Sequence, residues 1–395
     1  MKIAILGTRG VPPSYGGFET FAGELSTRLV DRGHDVTVYC RPSGNGGSPN
    51  EPATWNGVRR LVLPAVGHKY FETVSHTLVS ALDAWRRDFD VALVCNAANA
   101  FVLPILRAAR LPVAINVDGI ERKRRKWNVL GRAVYSVGEA FSVAFASAVI
   151  ADAAVIADYY RSNYALDPVT IPYGADFPAE QDSEVLSRLG VQSRGYVLYV
   201  SRFEPENNPL EVVLAYEKLG AGSQGHEVTR SHGPDLATSQ PRDLATNGTP
   251  PLVMVGDGLY APQLVGELKS HASDRILFPG ALYGADYRTL QRNALIYVQA
   301  TEVGGTHPAL IEAMGSGGCV LANDTPENRE VAGDSAGYFR LGADETLSGS
   351  LRQLLESQAE REKLRQAGRE RARKRFAWDR VVDSYERLFA ALVGR

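Results

Sequence analysis

The stretch that decides the fold is Lys2-Ile-Ala-Ile-Leu6-Gly7-Thr-Arg-Gly10-Val-Pro-Pro-Ser-Tyr-Gly16-Gly17. Its apolar run ends at a glycine, which is typical of a buried parallel strand followed by a tight turn. Residues 18–32 continue with apolar side chains at four-residue spacing, and Gly33 stands where a helix-ending glycine belongs. Residues 35–39 read as a second strand. A strand, a helix and a strand within 40 residues predict a right-handed crossover unit of an α/β sheet.

The same alternation of strands and helices occupies most of the chain. In the first half we predict strands at 91–95, 112–117, 148–151 and 169–171, and a helix at 98–110. In the second half we predict strands at 196–200, 251–255, 276–278 and 296–299, and helices at 209–219, 260–271, 360–374 and 376–392. The turn-rich stretch 172–178 interrupts the alternation. We therefore predict a Rossmann-like N-terminal domain at 1–173, a second Rossmann-like domain at 174–375, and a terminal helical segment at 376–395.

Composition excludes several classes of protein. The 395 residues contain 43 Lys plus Arg and 45 Asp plus Glu, so a general nucleic-acid binder is not expected. No apolar run reaches the roughly 18–20 residues of a membrane helix. The N-terminus lacks the apolar segment of a signal peptide, and three scattered cysteines favour neither a disulfide framework nor a zinc site. We expect a cytoplasmic protein in which the polar segment 221–250 is a disordered insertion.

The glycine loop of the first half is a candidate ligand site, because ligands of open α/β sheets bind beyond the carboxyl ends of the strands. Gly16 and Gly17, directly before the helix, can bring the backbone close to a ligand. A tight turn is the alternative explanation for each glycine. The glycine spacing does not fit the dinucleotide pattern G-x-G-x-x-G, so a dehydrogenase is a weaker alternative.

The second half carries a sharper motif, Thr301-Glu-Val-Gly304-Gly305-Thr306-His307-Pro308-Ala-Leu-Ile-Glu312-Ala-Met314. It follows a predicted strand and opens a helix, so the N–H groups of 306–309 and the helix dipole predict an anion site suited to a diphosphate. Glu312, one turn further on, is an expected acceptor for ribose or sugar hydroxyls; the alternative is a carboxylate that only stabilises the helix start. Arg202, just after a strand, is expected to neutralise a phosphate, with a surface salt bridge as the alternative.

The chain resembles GT-B glycosyltransferases of the retaining family four, and among them a bacterial rhamnosyltransferase-like subgroup that acts in cell-surface polysaccharide assembly. The segments that carry the resemblance are 7–20, 116–121 with Lys126-Trp127, 201–208 and 303–314. It covers nearly the whole chain apart from the polar insertion.

The resemblance implies two Rossmann-like domains that face each other across a cleft and close over a nucleotide sugar, with the last helix crossing back to the first domain. It implies that the donor is bound by Gly16, Gly17, Arg202, Asn207, Gly304, Gly305, Thr306, His307 and Glu312. Glu312 matches the second glutamate of the family's E-x7-E motif and would hold the ribose. In the family's usual retaining mechanism the acceptor attacks on the same face and the leaving diphosphate takes its proton, so the enzyme mainly positions groups and stabilises charge.

Two positions depart from the family pattern. Gly304 stands where the first glutamate of E-x7-E belongs, and Glu302 lies two residues too early. Asn207 replaces a basic residue that is usual after Arg202. Asp118, which follows the predicted strand 112–117, is a further candidate, expected to orient the acceptor hydroxyl or the sugar; a turn or capping role is the alternative. Asp118 and Glu312 are the residues we assign to catalysis.

A basic run in the first half suggests a contact with the acceptor. It consists of Arg122, Lys123, Arg124, Arg125 and Lys126, followed by Trp127. Basic residues favour anionic membrane surfaces, and tryptophan favours the lipid–water interface. We expect this run to hold the protein peripherally at the inner face of the cell membrane and to receive a lipid-linked diphosphate; a solvated loop is the alternative.

The expected function is transfer of a sugar, with rhamnose as the expected one, from a dTDP- or UDP-sugar to a glycan or a lipid-diphosphate-linked acceptor. No cofactor and no metal are expected: Asp88-Phe-Asp90 spells D-x-D but lies at the amino end of a strand, and the histidines show no ligand spacing. The alternatives are a nucleotide-sugar epimerase of the same fold and a non-catalytic protein that binds nucleotide sugars.

Overall fold

The computed structural model describes residues 1–13, 17–42, 53–67, 71–117, 119, 129–176, 184–221, 248–258, 261–342 and 346–394. The chain divides into two compact units. The first consists of Met1–Gly174, Val303–Pro308 and Phe376–Arg395, and the second of Ala175–Glu302 and Ala309–Arg375. Residues 303–308, which the sequence analysis includes in the C-terminal domain, therefore group with the first unit.

The first unit is built on an eight-stranded sheet. Its strands are β1 Lys2–Leu6, β2 Asp35–Cys40, β3 Thr54–Trp55, β4 Val58–Val62, β5 Val91–Cys95, β6 Val113–Asn116, β7 Ala148–Ala151 and β8 Val169–Thr170. The strand order is β3-β4-β2-β1-β5-β6-β7-β8, and every pair is parallel except β3 with β4. The central strands are buried on both faces, as parallel strands between helical layers must be.

The helices of this unit include α1 Gly17–Asp31, α2 Glu72–Trp85, α3 Leu103–Ala108, α4 Val129–Phe145 and α5 Ala154–Tyr164. The helix predicted at 98–110 is wrong in its first half, where residues Ala97–Val102 form a 3-10 helix. Asn96, at φ 74°, accepts a hydrogen bond from the backbone N–H of Ala98 and so begins a tight turn. Pro104 then starts a new helix, because its ring fits the first helical turn.

The second unit is built on a six-stranded sheet that is parallel throughout. Its strands are β9 Val197–Val200, β10 Leu252–Val255, β11 Ile276–Gly280, β12 Ile296–Gln299, β13 Val320–Asn323 and β14 Gly337–Phe339, in the order β11-β10-β9-β12-β13-β14. Its helices are α6 Val185–Leu189, α7 Pro209–Ala221, α8 Pro262–Ser270, α9 Gly284–Asn293, α10 Pro308–Gly315, α11 Pro326–Ala332, α12 Leu347–Glu356 and α13 Gln358–Phe376. The two Rossmann-like sheets predicted from the sequence are confirmed.

Both ends of the predicted insertion 221–250 are ordered, which corrects its bounds. Helix α7 continues through Ala221. At the other end, the Tyr216 hydroxyl donates to the carbonyl of Pro250 over 2.8 Å, and Nη2 of Arg275 donates to the carbonyl of Thr249 over 2.9 Å. These two bonds attach the chain beside β10. The rest of the predicted insertion, 222–247, lies outside the described residues.

The last helix, α14 Trp378–Val393, belongs to the first unit, as predicted. Its apolar face is buried, and the Tyr385 ring lies 5.5 Å from the ring of Phe21 on α1. The Tyr385 hydroxyl also accepts a hydrogen bond from the side-chain amide of Asn116, at the end of β6, over 3.1 Å. On the polar side, Arg32 forms ion pairs of 2.5 Å with Asp383 and Glu386. None of the helices in the described ranges has the length and hydropathy of a membrane span.

Candidate active site

Glu312 is held by a tyrosine from a neighbouring helix of the second unit. The side chain lies on α10, which begins with Pro308 after strand β12. The hydroxyl of Tyr287, on α9, donates a short hydrogen bond to Oε2 of Glu312. Gln291, one turn further along α9, donates to the Tyr287 hydroxyl over 2.7 Å and to the Ala309 carbonyl over 3.0 Å. The half-buried Glu312 carboxylate is therefore fixed in orientation at the carboxyl edge of the sheet.

The phenol of Tyr287 stays protonated at every relevant pH. Burial raises its pKa, and the negative charge of Glu312 raises it further. A permanently protonated hydroxyl is a dependable donor to a carboxylate, and hydrogen bonds to charged groups are stronger than neutral ones. The sequence analysis does not identify Tyr287 or Gln291, because α9 is not among the predicted helices.

Arg202 lies two residues beyond the end of β9, as expected for a residue at the carboxyl edge. Its guanidinium is 3.7 Å from Oε1 of Glu204, and 39% of its side chain is exposed. The side chain of Asn207 is buried, and its amide donates to the Arg202 carbonyl over 2.7 Å. The Tyr199 hydroxyl donates to the Asn207 carbonyl over 2.6 Å. Asn207 thus closes the loop that carries Arg202.

Glu302, which lies two residues before the position of the missing first glutamate, is hydrogen-bonded to the same loop. Its backbone N–H donates to the Glu206 carbonyl over 3.0 Å. Because β9 and β12 are neighbours in the sheet, the loops after these two strands meet at one edge. Arg202 and Glu302 thus belong to one edge of the second sheet.

The segment 303–308 is organised around Asp152 of the first unit. The N–H of Thr306 donates to Oδ2 of Asp152 over 2.7 Å, and the Thr306 hydroxyl donates to the Asp152 carbonyl. The predicted anion-binding N–H of Thr306 does bind an anion, but the anion is a carboxylate of the chain itself. Asp152 directly follows β7. The rule that selects Asp118 after β6 would also have selected Asp152 after β7.

Both glycines of this segment lie close against a neighbouring side chain. A Cβ on Gly304 would lie 2.4 Å from Cε1 of His307, and a Cβ on Gly305 would lie 2.2 Å from Oδ1 of Asp152. A larger residue at position 304 would therefore require the His307 ring to move. Gly17 is less restricted, because a Cβ there would be 3.5 Å from the Pro308 ring, an ordinary contact distance.

The carboxyl edge of the first sheet contains a buried carboxyl group that the sequence analysis does not single out. Glu19, in the first turn of α1, accepts a hydrogen bond from the N–H of Arg9 over 3.2 Å. Burial raises the pKa of the Glu19 carboxyl, and the bond from Arg9 opposes that rise. His76 of α2 is also buried here, and its Nε2 donates to the Cys40 carbonyl over 2.9 Å. Burial lowers the pKa of His76 to about 4.

Several predicted site residues lie outside the described residues. These are Gly16, Asp118, Arg122, Lys123, Arg124, Arg125, Lys126 and Trp127. Their expected roles in donor binding, catalysis and acceptor binding stay predictions. Within the described ranges, no group of three or more His, Cys, Asp or Glu side chains is arranged to hold a metal ion. In the D-x-D sequence, Asp88 and Asp90 instead bind the side chain and the backbone N–H of Lys2.

Two family models match the chain. The Glycosyl transferase 4-like domain matches residues 16–174, and the Glycosyl transferases group 1 family matches residues 188–371. The two matches together cover most of the chain. A search of curated proteins gives no match.

Solved structures share the fold over nearly the full chain. Sucrose-phosphate synthase from Thermosynechococcus elongatus superposes with a TM-score of 0.76 at 18% identity, covering 99% of both chains. Anabaena Alr3699/HepE in complex with UDP-glucose gives 0.75 at 17% identity, covering 99% of this chain and 100% of the other. An α,α-trehalose-phosphate synthase from Burkholderia xenovorans, in complex with glucose-6-phosphate, gives 0.73 at 12% identity, with coverage of 99% and 100%. The family matches and these shared folds lead to one assignment: the chain belongs to the glycosyltransferases and has the GT-B fold.

Proposed function

We propose that this glycosyltransferase moves a sugar from a nucleoside-diphosphate donor, with retention, to a glycan or lipid-diphosphate-linked acceptor in cell-surface polysaccharide assembly. Rhamnose from a dTDP-sugar is the proposed donor group, and a UDP-hexose is the second candidate. The observation that carries the proposal is the Glu312 carboxylate, fixed by Tyr287 at the start of the helix that follows β12.

Each part of the second unit's edge has a function in this proposal. A carboxylate held by a neutral phenol accepts hydrogen bonds from ribose hydroxyls. The Arg202 guanidinium, partly exposed and only loosely paired with Glu204, neutralises a diphosphate oxygen. The start of α10 adds the positive end of a helix dipole, although the N–H of Thr306 ahead of it is already bound to Asp152. Together they stabilise the charge that develops on the leaving diphosphate.

The ligands of the similar structures support a nucleotide-sugar donor. Anabaena HepE was solved with UDP, with UDP and glucose, and with UDP-glucose. At 17% identity these structures share the fold with this chain, so the base and the sugar remain part of the proposal.

The acceptor side is assigned to the first unit. Asp118 is proposed to orient the acceptor hydroxyl or the sugar, and residues 122–127 to receive a lipid-linked diphosphate at the cytoplasmic face of the membrane. In the retaining mechanism that we propose, the leaving diphosphate accepts the proton of the attacking hydroxyl. The protein then needs no separate base, and positioning supplies most of the acceleration.

A panel of nucleotide sugars tests the donor assignment by thermal unfolding. A donor present at one hundred times its dissociation constant adds about 2.7 kcal/mol to the free energy of unfolding. We expect the largest shift with dTDP-rhamnose, a smaller shift with UDP-hexoses, and a reduced shift for Arg202→Ala. Absence of a shift with every dTDP- and UDP-sugar would contradict the donor assignment.

Two further measurements separate the alternatives. A nucleotide-sugar epimerase converts the donor when no acceptor is present, which chromatography of the donor alone detects. A non-catalytic binding protein gives a calorimetric signal with the donor but releases no nucleoside diphosphate with any acceptor. Release of nucleoside diphosphate that requires an acceptor favours transfer over both.

A further inference from the structure

Helix α2 turns its large apolar side chains outward. The side chains that it buries are small or polar: His76, Thr77, Ser80, Ala81 and Ala84. The side chains that it exposes are Val74 at 44%, Leu78 at 39%, Leu82 at 36% and Trp85 at 51%. A surface helix of a globular protein normally shows the opposite arrangement, with its apolar stripe facing the core. The exposed stripe therefore indicates a surface that contacts another apolar surface or a lipid.

Two further helices extend this surface. Helix α3 packs against both α2 and α4, so the three helices lie side by side in the first unit. On α4, Val129 is 83% exposed, Val134 54% and Val137 55%. Among the described side chains of the three helices, every exposed one is apolar or arginine. They are Val74, Leu78, Leu82, Trp85, Arg107, Ala108, Val129, Arg132, Ala133, Val134, Val137, Ala140 and Ala144, which we call the α2–α4 surface.

The carboxylates of these helices do not add negative charge to the α2–α4 surface. Glu139 is buried and accepts hydrogen bonds from two tyrosine hydroxyls. Asp83 is paired with Arg87 over 2.5 Å and accepts a bond from Tyr39. Glu72, only 25% exposed, lies 3.6 Å from Arg41. The α2–α4 surface is therefore apolar and cationic.

This combination favours an anionic lipid bilayer over a second copy of the chain. A twofold contact would bring together two surfaces that both carry positive charge, and like charges oppose such a contact. The apolar stripes are also small. At 1.5 Å per residue they are about 16 Å long on α2 and about 22 Å on α4, and at a width of about 10 Å they cover roughly 400 Å². A stable protein interface buries about 800 Å² on each partner.

We propose that the α2–α4 surface docks the protein on an anionic membrane, with Leu78, Leu82 and Trp85 entering the headgroup region. Helices that lie in a membrane interface combine Trp and Leu on one side with arginine beside them. Tryptophan favours this depth, and each arginine adds attraction to anionic lipid. This docking differs from the contact proposed for residues 122–127, and it does not depend on which reaction the protein catalyses.

Co-sedimentation of the full chain with vesicles tests the proposal. We expect binding to phosphatidylcholine vesicles that contain phosphatidylglycerol, and weaker binding to phosphatidylcholine alone. Leu78→Ser combined with Leu82→Ser should lower the partition coefficient about tenfold or more, because two apolar side chains no longer enter the lipid. Arg107→Gln combined with Arg132→Gln should lower it about fivefold per arginine on anionic vesicles only.

The matched control carries Val169→Ser and Val393→Ser, two exposed valines outside the α2–α4 surface, at 41% and 42% exposure. It should bind vesicles like the wild type, and thermal unfolding should show that all variants fold. The proposal is overturned if the wild type stays in the supernatant with anionic vesicles at low salt. It is also overturned if the leucine variant binds normally, or if sedimentation velocity shows a dimer that the leucine variant dissociates.

Discussion

Glu19 and Glu312 occupy comparable places in the two units but are held in different ways. Each lies in a helix that begins at the carboxyl edge of its sheet. Glu19 is buried against the backbone of its own loop, where it accepts the N–H of Arg9. Glu312 is half-buried and is held by the side chain of Tyr287, from another helix.

Glu19 therefore stabilises a loop, whereas Glu312 can accept hydrogen bonds from a ligand. Burial raises the pKa of Glu19, so the site favours its neutral form. The hydroxyl of Tyr287, by contrast, stabilises the charged form of Glu312 while leaving part of the side chain near solvent. In the proposed function, Glu312 is therefore the carboxylate that accepts hydrogen bonds from the hydroxyl groups of the donor.

The largest expected effect is on Glu312. Glu312→Ala should lower the rate of transfer about ten- to a hundredfold, since a hydrogen bond to a charged group contributes roughly 1.5–3 kcal/mol. The rate of nucleoside diphosphate release at saturating acceptor measures the change. Glu19→Gln is the matched control and should retain most of the activity. If Glu312→Ala transferred at the wild-type rate, Glu312 would have no role in donor binding.

Acid should destabilise the first unit through His76. The folded state lowers its pKa from 6.5 to about 4, so the unfolded state binds more protons between these values. The stabilising effect of the neutral ring is complete above pH 6.5 and is lost as the pH falls toward 4. We expect the free energy of unfolding to fall by about 2–3 kcal/mol between pH 7 and pH 4.5 from this group.

Urea denaturation across this pH range measures the effect. His76→Gln should show a correspondingly smaller loss of stability toward acid. An unchanged pH profile in His76→Gln would place the acid sensitivity elsewhere.

Removing the support of Glu312 should have a smaller effect than removing Glu312 itself. Tyr287→Phe deletes one hydroxyl and leaves the ring, so we expect donor affinity to fall about fivefold, or about 1 kcal/mol. The change should appear mainly in KM for the donor. Tyr283→Phe, an exposed tyrosine just before the same helix, is the control and should leave KM unaltered. A KM equal to the wild type's in Tyr287→Phe would show that Glu312 needs no such support.

The smallest effect is expected at Glu19. A carboxyl group whose pKa is raised by folding favours the folded state when protonated, and this advantage is lost as the pH rises above 4.5. Glu19→Gln is permanently neutral, so at pH 7.5 it should be at least as stable as the wild type. Glu19→Ala removes the acceptor for the Arg9 N–H and should cost about 1 kcal/mol. Chemical denaturation of both variants at pH 4.5 and pH 7.5 checks the sign; a Gln variant less stable than Ala would reverse the interpretation.

The sequence predicts those elements of the fold that depend on residues close together in the chain. Strands such as Ile296–Gln299 are apolar runs between turns, and the glycine loops beside them mark the carboxyl edges. The partners of the site residues are not local, since Tyr287 lies 25 positions from Glu312 and Asp152 lies 154 positions from Thr306. Helix α2 shows a second limit. Periodicity tells which side chains share a face, but it does not tell which face the protein buries.

The attachment of Thr249 and Pro250 beside β10 has a practical consequence for protein engineering. The segment 222–247 leaves from the end of α7 and returns at the start of β10, at the amino edge of a parallel sheet. Glu312 and Arg202 belong to the opposite, carboxyl edge. The free energy of closing a loop changes slowly with its length, so a short Gly-Ser link in place of 222–247 should keep both stability and transfer. For the same reason, we expect a fluorescent domain inserted at this junction to leave Glu312 and Arg202, the residues proposed to bind the donor, undisturbed.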